Sequence, residues 1–290
     1  MADKKKIHPA NRPGNLFVDT SCIDCGTCYW IAPDVFKRHE GNSIVYQAPD
    51  ESRQLSAWQA MYSCPTNSIG VKSREKSMGK GLESLPRELV TDVLHLGFHA
   101  RGSFGAASYL LRGSKGNLMI DSPRFSQHLV KKLEALGGVK AQYLTHRDDI
   151  ADTERYLQAL GHQAWIHALD QPREMSFLGK WEFEGECLDI SEELKVIAVP
   201  GHTQGSVCFL FRDKYLFTGD HLAFSTELGH LYAFRRACWF DFEIQIESMK
   251  RLLDYSFEAV FPGHGAPMIS DSKSVRKSLE LCIDCMEREK

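Results

Sequence analysis

The sequence predicts an α+β protein of two domains, a small cysteine-bearing domain followed by a larger layered one. Its 290 residues exceed what one ordinary hydrophobic core contains. Four of its nine cysteines lie within the first 64 residues. Beyond residue 88, short apolar runs with strand periodicity alternate with segments of helical spacing, a pattern typical of layered α/β domains.

Composition excludes several classes of function. Apolar residues make up 43% and charged residues 25% of the chain, as in a globular protein, and the net charge of −3 predicts no nucleic-acid partner. No apolar run approaches the roughly 18 residues that span a bilayer, which predicts no membrane partner. The basic N-terminus has no apolar stretch behind it, so we expect residues 1–14 to be a flexible tail and the protein to be cytoplasmic.

The small domain is predicted over residues 15–71, and the charged, glycine-containing residues 72–88 are predicted to be a linker. The predicted elements of the small domain are strand Leu16–Val18, a short helix near Pro33–Phe36, strand Ser43–Tyr46 and helix Glu51–Tyr62. The larger domain is predicted over residues 89–290 and begins with strand-like runs. Its clearest later elements are helices Phe125–Leu136, Ile150–Leu160 and Ile244–Asp254, strands Ala141–Leu144 and Ala164–His167, and a C-terminal helix.

The cysteines of the small domain form a triplet and a single residue. Cys22, Cys25 and Cys28 follow a Cys-x-x-Cys-x-x-Cys spacing, and Cys64 stands apart before a proline. An odd number of cysteines in a large chain without a secretion signal favours metal or cluster ligation over disulfides. The triplet supplies three thiolates from one tight loop, in which Gly26 allows a close turn, and Cys64 fits the role of a distant fourth ligand.

Residues 15–71 resemble the bacterial-type ferredoxins that carry a single 4Fe-4S cluster. In two-cluster ferredoxins a further cysteine before a proline ligates the second cluster, and here Ala32 occupies that position before Pro33. The resemblance implies one 4Fe-4S cluster on the four cysteines, one-electron transfer at low potential, and a redox partner that is either internal or a separate protein. A zinc ion on the same thiolates is the alternative, although zinc sites usually use two separated cysteine pairs.

Four segments of the larger domain each follow an apolar run, which places their polar residues at strand ends. They are Tyr143–Asp152, Pro200–Ser206, Phe217–His221 and Phe261–Gly265. Loops at strand ends of α/β layers are where sites are usually built. Histidine nitrogens on such loops can converge on one metal centre, and a carboxylate such as Asp220 can bridge two cations.

In this order, the four segments resemble the metallo-β-lactamase fold superfamily over residues 90–270, which implies an αββα sandwich. The segment Pro200–Ser206 is similar to the form found in glyoxalase II-like members, and Asp121 matches the acidic residue after the family's early strand. The first segment departs from the family's His-x-His-x-Asp-His pattern. His146 aligns, but Asp148 replaces the second histidine, and a shift that places Asp152 on the aspartate position leaves no final histidine.

The resemblance implies one or two divalent metals, zinc, iron or manganese. The implied ligands are His146, Asp148 or Asp149, and His202 for the first cation, and Asp152 and His264 for the second, with Asp220 between them. Asp152 and Asp220 are also the predicted catalytic residues. Carboxylate in place of imidazole favours iron or manganese over zinc. The alternatives are that the second cation is lost or weakly bound, or that the site is a relic whose histidines hydrogen-bond within their loops.

Several other residues have two interpretations each. His221 either supports Asp220 or faces solvent, while His95 and His99 are predicted to be structural. Cys282 and Cys285 share one helix face and are predicted to be packed thiols, with a metal or redox pair as the alternative. The last group comprises Arg235, Arg236 and Trp239. These residues either bind a carboxylate or phosphate of the substrate, or they form a solvated basic turn.

Three functions are consistent with these observations. The first, favoured by the resemblance, is a metallohydrolase of a small-molecule ester, thioester or lactone, with a redox-linked cluster. The second is an oxidoreductase in which the ferredoxin domain passes electrons to a non-haem iron site, because tethering raises the effective concentration of the donor. This arrangement is similar to that of flavodiiron proteins. The third is a non-catalytic electron carrier or redox-responsive module on a degenerate scaffold.

Overall fold

The structure, a computed structural model, describes residues 2–182 and 185–289. The chain divides into two compact units. The first comprises Met1–Arg112, Ser122–Gly138 and Ala151–Leu160, and the second comprises Gly113–Asp121, Val139–Ile150 and Gly161–Lys290. The predicted domain limits of 15–71 and 89–290 stay predictions, because a division by compactness does not test which segment folds alone.

The first unit begins with six short elements. They are β1 (Leu16–Val18), α1 (Thr27–Ile31), β2 (Phe36–His39), β3 (Asn42–Val45), α2 (Gln54–Ser63) and β4 (Ile69–Val71). β1 pairs with β4 and β2 pairs with β3, both antiparallel. All residues of β1 are buried, and α2 buries Trp58 in the same core. This shared core stabilises the elements, since none is long enough to be stable alone.

The helix predicted near Pro33–Phe36 is wrong, because the helix lies earlier in the chain. α1 occupies Thr27–Ile31 and ends at Ala32, whose φ of −138° and ψ of 66° are not helical. A residue before proline avoids the helical region for steric reasons, so Pro33 prevents continuation of α1. The helix therefore lies inside the cysteine loop and carries Cys28.

The remaining elements of the first unit are three strands and three helices. They are α3 (Met78–Glu83), β5 (Arg87–Val90), β6 (Val93–His95), β7 (Tyr109–Gly113), α4 (Gln127–Ala135) and α5 (Thr153–Leu160). β5, β6 and β7 form an antiparallel meander. α4 begins after Ser126, whose side chain accepts from the Leu129 amide, and it buries Leu129 and Leu133 one turn apart. The segment predicted as a linker thus contains α3.

The second unit contains four parallel strands. They are β8 (Gly116–Ile120), β9 (Ala141–Tyr143), β10 (Gln163–His167) and β11 (Gly179–Trp181), and they lie side by side in this order. Parallel strands end at the same edge of a sheet. The residues that follow β8, β9 and β10 therefore lie along one edge.

The rest of the second unit is a mixed sheet, a hairpin and two long helices. These are β12 (Cys187–Asp189), β13 (Leu194–Ala198), β14 (Val207–Phe211), β15 (Tyr215–Gly219), β16 (Ala223–Ser225), β17 (His230–Tyr232), α6 (Phe242–Arg251), β18 (Ala259–Pro262), β19 (Met268–Ile269) and α7 (Ser272–Arg288). The sheet order is β12-β13-β14-β15-β18-β19, and β16 pairs with β17. Of the paired neighbours in this sheet, β15 and β18 run parallel and the other described pairs are antiparallel.

The mixed sheet is covered on both faces, which explains why every residue of β14 is buried. On one face, α6 and α7 contribute Ile246 and Leu279 to the main apolar core. On the other face, the Phe209 ring lies 5.8 Å from the rings of Tyr143 and Trp181, measured between centroids. Among the described residues, we find no helix with the length and apolar character required to cross a bilayer.

Candidate functional site

Three histidines and an aspartate follow four strands of the second unit. His146 follows β9, His202 follows β13, Asp220 follows β15 and His264 follows β18. β15 and β18 are parallel and paired at their ends, which brings Asp220 and His264 to the same edge of the sheet. The structure therefore brings these four predicted site residues together, as expected for loops at strand ends.

Asp220 lies at the centre of this group. Its Oδ2 atom is 3.6 Å from His146 Nε2, 3.8 Å from His202 Nε2 and 3.5 Å from His264 Nε2. The rings of His146 and His202 are perpendicular, with centroids 4.7 Å apart. One carboxylate oxygen facing three imidazole nitrogens fits the predicted position of Asp220 between two cations.

Asp148 and Asp149 lie on opposite sides of His146. Both belong to a single 3₁₀ turn, Arg147–Asp149, in which successive side chains point about 120° apart. Asp148 Oδ2 lies 3.3 Å from His202 Nε2, whereas Asp149 Oδ2 lies 3.9 Å from His146 Nδ1. Two groups of close ligand atoms result, one of His146, Asp148 and His202 and one of His146, Asp149 and Asp220.

Gly263 is required by this close packing. A Cβ atom at this position would lie 2.7 Å from Asp220 Oδ1 and 2.9 Å from Asp149 Oδ2. Any side chain would therefore displace one of the two carboxylates. This contact gives a physical reason for the glycine before His264.

Charge compensation shifts the pKa values of the buried groups. Burial raises the pKa of Asp149 well above its usual range, and the charge of Asp220 adds to this effect. Burial acts in the same direction on Asp220, but His264 and His146 outweigh it and lower the Asp220 pKa. For His146, burial lowers the pKa, whereas Asp149 and Asp220 raise it to about 10. The carboxylates thus require nearby positive charge, which a protonated His146 or a cation supplies.

The donor set fits a divalent cation. Five buried ligand atoms have no hydrogen-bond partner among the described residues, namely His146 Nε2, His202 Nε2, Asp149 Oδ1, Asp149 Oδ2 and Asp220 Oδ1. Buried polar atoms are normally hydrogen-bonded, and buried charges are paired or coordinate metals. The imidazole Nδ1 of His146 does bond to the Thr145 hydroxyl, at 3.0 Å. The Nε2 atoms of His146 and His202, however, have no hydrogen bond to the described loops, although such bonds are expected if the site no longer binds metal.

The other predicted carboxylates have different partners. Asp152 belongs to the first unit, where its Oδ2 accepts from the Phe125 amide at 2.7 Å and lies 3.8 Å from the Arg155 guanidinium. It is in neither group of close ligand atoms, and its ligand and catalytic roles stay predictions. Asp121 is buried, and its Oδ1 accepts from the Thr145 amide and hydroxyl. Asp121 thereby supports the residue that precedes His146.

Asp170, which sequence reasoning missed, connects the two loops that carry His146 and His202. It ends a 3₁₀ turn after β10, and its side chain is fully buried. Its Oδ1 accepts from Arg147 Nη2 at 3.0 Å and from the Gly205 amide at 2.9 Å. Its Oδ2 accepts from the Arg147 amide and the Thr203 hydroxyl. The only sequence signal was an aspartate shortly after an apolar strand.

Replacement of Asp170 by asparagine should loosen both loops. The amide cannot accept from all four donors, so at least one buried donor loses its partner, and we expect a loss of about 1–3 kcal/mol in the free energy of unfolding. Chemical denaturation measures this loss. Asp189→Asn is the matched control, since Asp189 is 71% exposed and pairs with Lys195 at the surface, where the expected change is within about 1 kcal/mol. Equal effects of the two variants would contradict the role of Asp170.

Of the remaining candidates, His221 and Trp239 lie beside residues of this group, while Arg235 and the thiols of α7 have other neighbours. His221 is 1% exposed and neither ring nitrogen has a hydrogen-bond partner within the described chain, so the solvent-facing interpretation is wrong. Trp239 is 66% exposed, with its ring centroid 6.2 Å from that of His202. Arg235 lies over the Phe242 ring, 4.5 Å from its centroid. Cys282 and Cys285 of α7 form no disulfide bond, and neither do the other seven cysteines, all of which lie in the described residues. Cys282 is buried.

The four predicted cluster cysteines lie together in the first unit. Cys22 and Cys25 lie in the loop after β1, Cys28 lies on α1, and Cys64 directly follows α2. Gly26 precedes α1 with a φ of +85°, a conformation that favours glycine. Cys28 and Cys64 are buried in the same apolar core, against which Cys22 also packs. Burial raises the pKa of each of the triplet thiols, and the charge of Cys64 adds to this effect.

Hydrogen-bond donors surround these sulfur atoms. The amides of Asp24 and Ser43 donate to Cys22 Sγ at 3.4 and 3.3 Å, and the Ser68 amide donates to Cys64 Sγ at 3.3 Å. Burial nevertheless raises the pKa of Cys22, and raises that of Cys25 to about 11. Donors stabilise thiolates, and cluster binding supplies the positive charge that removes the protons. The residues therefore fit a thiolate-bound cluster.

Comparison with known proteins agrees with both the cysteine site and the site of histidines and aspartates. Residues 18–71 match the family described as the 4Fe-4S single cluster domain of Ferredoxin I. A hydroxyacylglutathione hydrolase of Prochlorococcus marinus is 33% identical over 95 residues, which cover 30% of this chain. The aligned part spans only 37% of the length of that curated relative.

Solved structures show the fold of the larger part. A metallo-beta-lactamase family protein of Thermus thermophilus superposes with a TM-score of 0.51 at 17% identity, covering 69% of this chain and 81% of that chain. The protein TMB-1 superposes with a TM-score of 0.53 at 18% identity, covering 69% of this chain and 97% of the TMB-1 chain. The predicted combination of a 4Fe-4S ferredoxin domain with a metallo-β-lactamase fold is confirmed, and so is the predicted α+β fold class.

Proposed function

We propose that this protein is a metal-dependent hydrolase whose ferredoxin domain binds one 4Fe-4S cluster. The observation that carries the proposal is the set of buried imidazole and carboxylate atoms that meet at four strand ends without hydrogen-bond partners among the described residues. An ester, thioester or lactone is the proposed substrate class. The similarity of 95 residues to a protein named as a hydroxyacylglutathione hydrolase supports this choice, as does the segment Pro200–Ser206.

Each residue of the site has a proposed role. His146, His202 and Asp148 would hold one cation, and Asp149, Asp220 and His264 would complete a second position. A bound divalent cation lowers the pKa of the attacking water and polarises the substrate carbonyl. Asp148 has 42% of its side chain exposed, unlike the buried Asp149, so we assign it the additional role of accepting the proton of that water.

Trp239 is the proposed contact for the apolar part of the substrate. It is two-thirds exposed and its ring lies beside that of His202, so a small molecule bound at this imidazole is within reach of the Trp239 ring. Aromatic side chains supply large contact areas at small entropic cost. We therefore propose a small-molecule substrate with an apolar group next to the scissile carbonyl.

Metal analysis of anaerobically purified protein tests the proposed function. We expect four irons per chain for the cluster and about two further divalent cations in the second unit. Removal of those cations by a chelator should abolish thioester hydrolysis and leave the visible absorption of the cluster unchanged. Protein that contains only cluster iron after growth with added zinc, manganese and iron would contradict the hydrolase and support a non-catalytic redox module.

An oxidoreductase is the second candidate, favoured by the three carboxylates of the site. Asp148, Asp149 and Asp220 form a harder ligand set than imidazoles alone, which suits iron better than zinc. In this case the extra metal would be iron. Reduced protein would then consume oxygen or another electron acceptor at a rate that depends on the cluster, and a separate redox protein would be its electron donor.

A further inference from the structure

A buried pair of histidines lies next to the cysteine loop in the first unit. His95 ends β6 and His99 follows four residues later, and each is 1% exposed. Their Nε2 atoms are 2.7 Å apart, and the Trp30 ring lies 4.9 Å from the His95 ring, measured between centroids. A contact of 2.7 Å between two ring nitrogens requires a proton between them.

The position of each proton follows from the carbonyl of Gly105. His99 Nδ1 lies 2.6 Å from this oxygen, and two acceptors cannot approach so closely, so Nδ1 carries a hydrogen and donates. The neutral ring of His99 then offers Nε2 as an acceptor. His95 is therefore the donor in the contact between the two histidines.

Thr27 joins this pair to a cluster ligand. Its hydroxyl oxygen lies 3.1 Å from His99 Nδ1, 3.3 Å from Cys25 Sγ and 3.3 Å from the Gly105 carbonyl. Because His99 Nδ1 is a donor, the Thr27 hydroxyl cannot give its hydrogen to it. Two acceptors remain for the Thr27 hydroxyl, namely the Gly105 oxygen, which also accepts the shorter bond from His99, and the sulfur of Cys25. Hydrogen bonds to ionised acceptors are the stronger ones, so the hydroxyl donates to the sulfur when Cys25 is a cluster-bound thiolate.

Gly105 packs directly against Cys25. Its φ is +91°, and a Cβ atom there would lie 2.9 Å from both Cβ and Sγ of Cys25. The loop that carries His99 and Gly105 therefore rests directly on this cysteine, although it lies beyond residue 71. Thr27 is the first residue of α1 and faces this loop, with 2% of its surface exposed.

We propose that His95 and His99 are positioning residues that direct the Thr27 hydroxyl onto Cys25 Sγ, and that this hydrogen bond raises the reduction potential of the cluster. The proposal rests on the assignment of Cys25 as a cluster ligand. Hydrogen bonds to the sulfurs are among the factors that set cluster potentials, since a donor stabilises the additional negative charge of the reduced state. We call the chain from His95 through His99 and Thr27 to Cys25 the relay. Within it, the hydrogen-bonding state of each histidine determines which atom of the next group can donate.

Potentiometric titration of the full-length protein, followed by electron paramagnetic resonance, tests the relay. Thr27→Val removes the hydroxyl at nearly constant shape, and we expect a midpoint potential lower than that of the wild type. Thr27→Ser retains the hydroxyl and should restore the wild-type potential. Ser108→Ala is the matched control, because Ser108 is also buried in the first unit but its hydroxyl has no hydrogen-bond partner among the described residues.

His99→Phe should lower the potential in the same direction, because the Thr27 hydroxyl is then free to turn to the Gly105 carbonyl. In the double variant with Thr27→Val the two shifts should not add, since both remove one hydrogen bond. Additive shifts, or an unchanged potential in Thr27→Val with the cluster intact, would overturn the relay. Wild-type protein without cluster iron would instead contradict the cluster assignment, which separates the two failures.

Discussion

Replacement of Cys64 by alanine should abolish the 4Fe-4S cluster. Cys64 lies at the end of α2, and it is the one predicted ligand outside residues 22–28, which carry the other three cysteines. Three thiolates leave one iron without a protein ligand, and the buried thiols that remain have raised pKa values, which favour the protonated state. Iron and sulfide analysis, together with visible absorption of anaerobically purified protein, measures the loss.

Cys282→Ala is the control for this experiment. Cys282 is buried like Cys64, with 1% of its surface exposed against 7%, but it lies on α7 in the second unit among apolar side chains. Its replacement removes only a buried sulfur, at a cost of roughly 1 kcal/mol in the free energy of unfolding, and should leave iron content unchanged. A full cluster spectrum in Cys64→Ala would show that another group, or another arrangement, provides the fourth ligand.

The residues best predicted from sequence are those whose neighbours in space are also neighbours in the chain. The cysteine triplet lies within residues 22–28, and its spacing alone indicated a common ligand site. The histidines after β13 and β18 were found because a strand end followed by a Pro-Gly pair is a local signal, and His146 was found because it closely follows an apolar strand. Burial of the strands then determines where those ends meet, and the structure brings His146, His202 and His264 to the same carboxylate, Asp220.

Residues that act through tertiary contacts could not be predicted in this way. Thr27 and His99 are 72 positions apart, and Asp170 and Thr203 are 33 apart, yet each pair is hydrogen-bonded. Neither pair has a sequence pattern, because the contact depends on how loops from different elements pack. The choice between Asp148 and Asp149 was also unresolved, since a 3₁₀ turn places both carboxylates beside His146.

The two sites differ in the polarity of their surroundings, and this difference agrees with the proposed occupant of each. Around the cysteine sulfurs, the amides of Asp24, Ser43 and Ser68 point hydrogens inward, as suits an anionic thiolate cluster. Around Asp220, five buried carboxylate and imidazole atoms have no hydrogen-bond partner among the described residues, as suits a cation. Hydrogen-bond direction thus distinguishes the two sites, although both are buried and rich in metal ligands.

Asp220→Asn should remove divalent metal binding while preserving the fold. The Asp220 Oδ2 faces three imidazoles, so its loss removes both a ligand and the charge that balances two cations. Because disruption of mere supporting residues already weakens metal binding by about 10–100-fold, we expect at least about 100-fold weaker binding here. Without metal, the amide relieves repulsion with Asp149, but it also removes the charge that His264 and His146 stabilise, as the lowered pKa of Asp220 shows. Because a carboxylate with a lowered pKa stabilises the folded state at neutral pH, the metal-free variant should be less stable than the metal-free wild type.

Thermal unfolding with and without chelator reveals this difference. A ligand at about 100 times its dissociation constant stabilises a protein by about 2.7 kcal/mol, so the chelator should lower the Tm of the wild type and leave that of Asp220→Asn unchanged. Asp213→Asn is the control, since Asp213 is exposed in a turn with a φ of 50°, which asparagine tolerates, and it should respond like the wild type. If Asp220→Asn bound metal as tightly as Asp213→Asn, the buried carboxylate would have a structural role and the cation site would have to lie elsewhere.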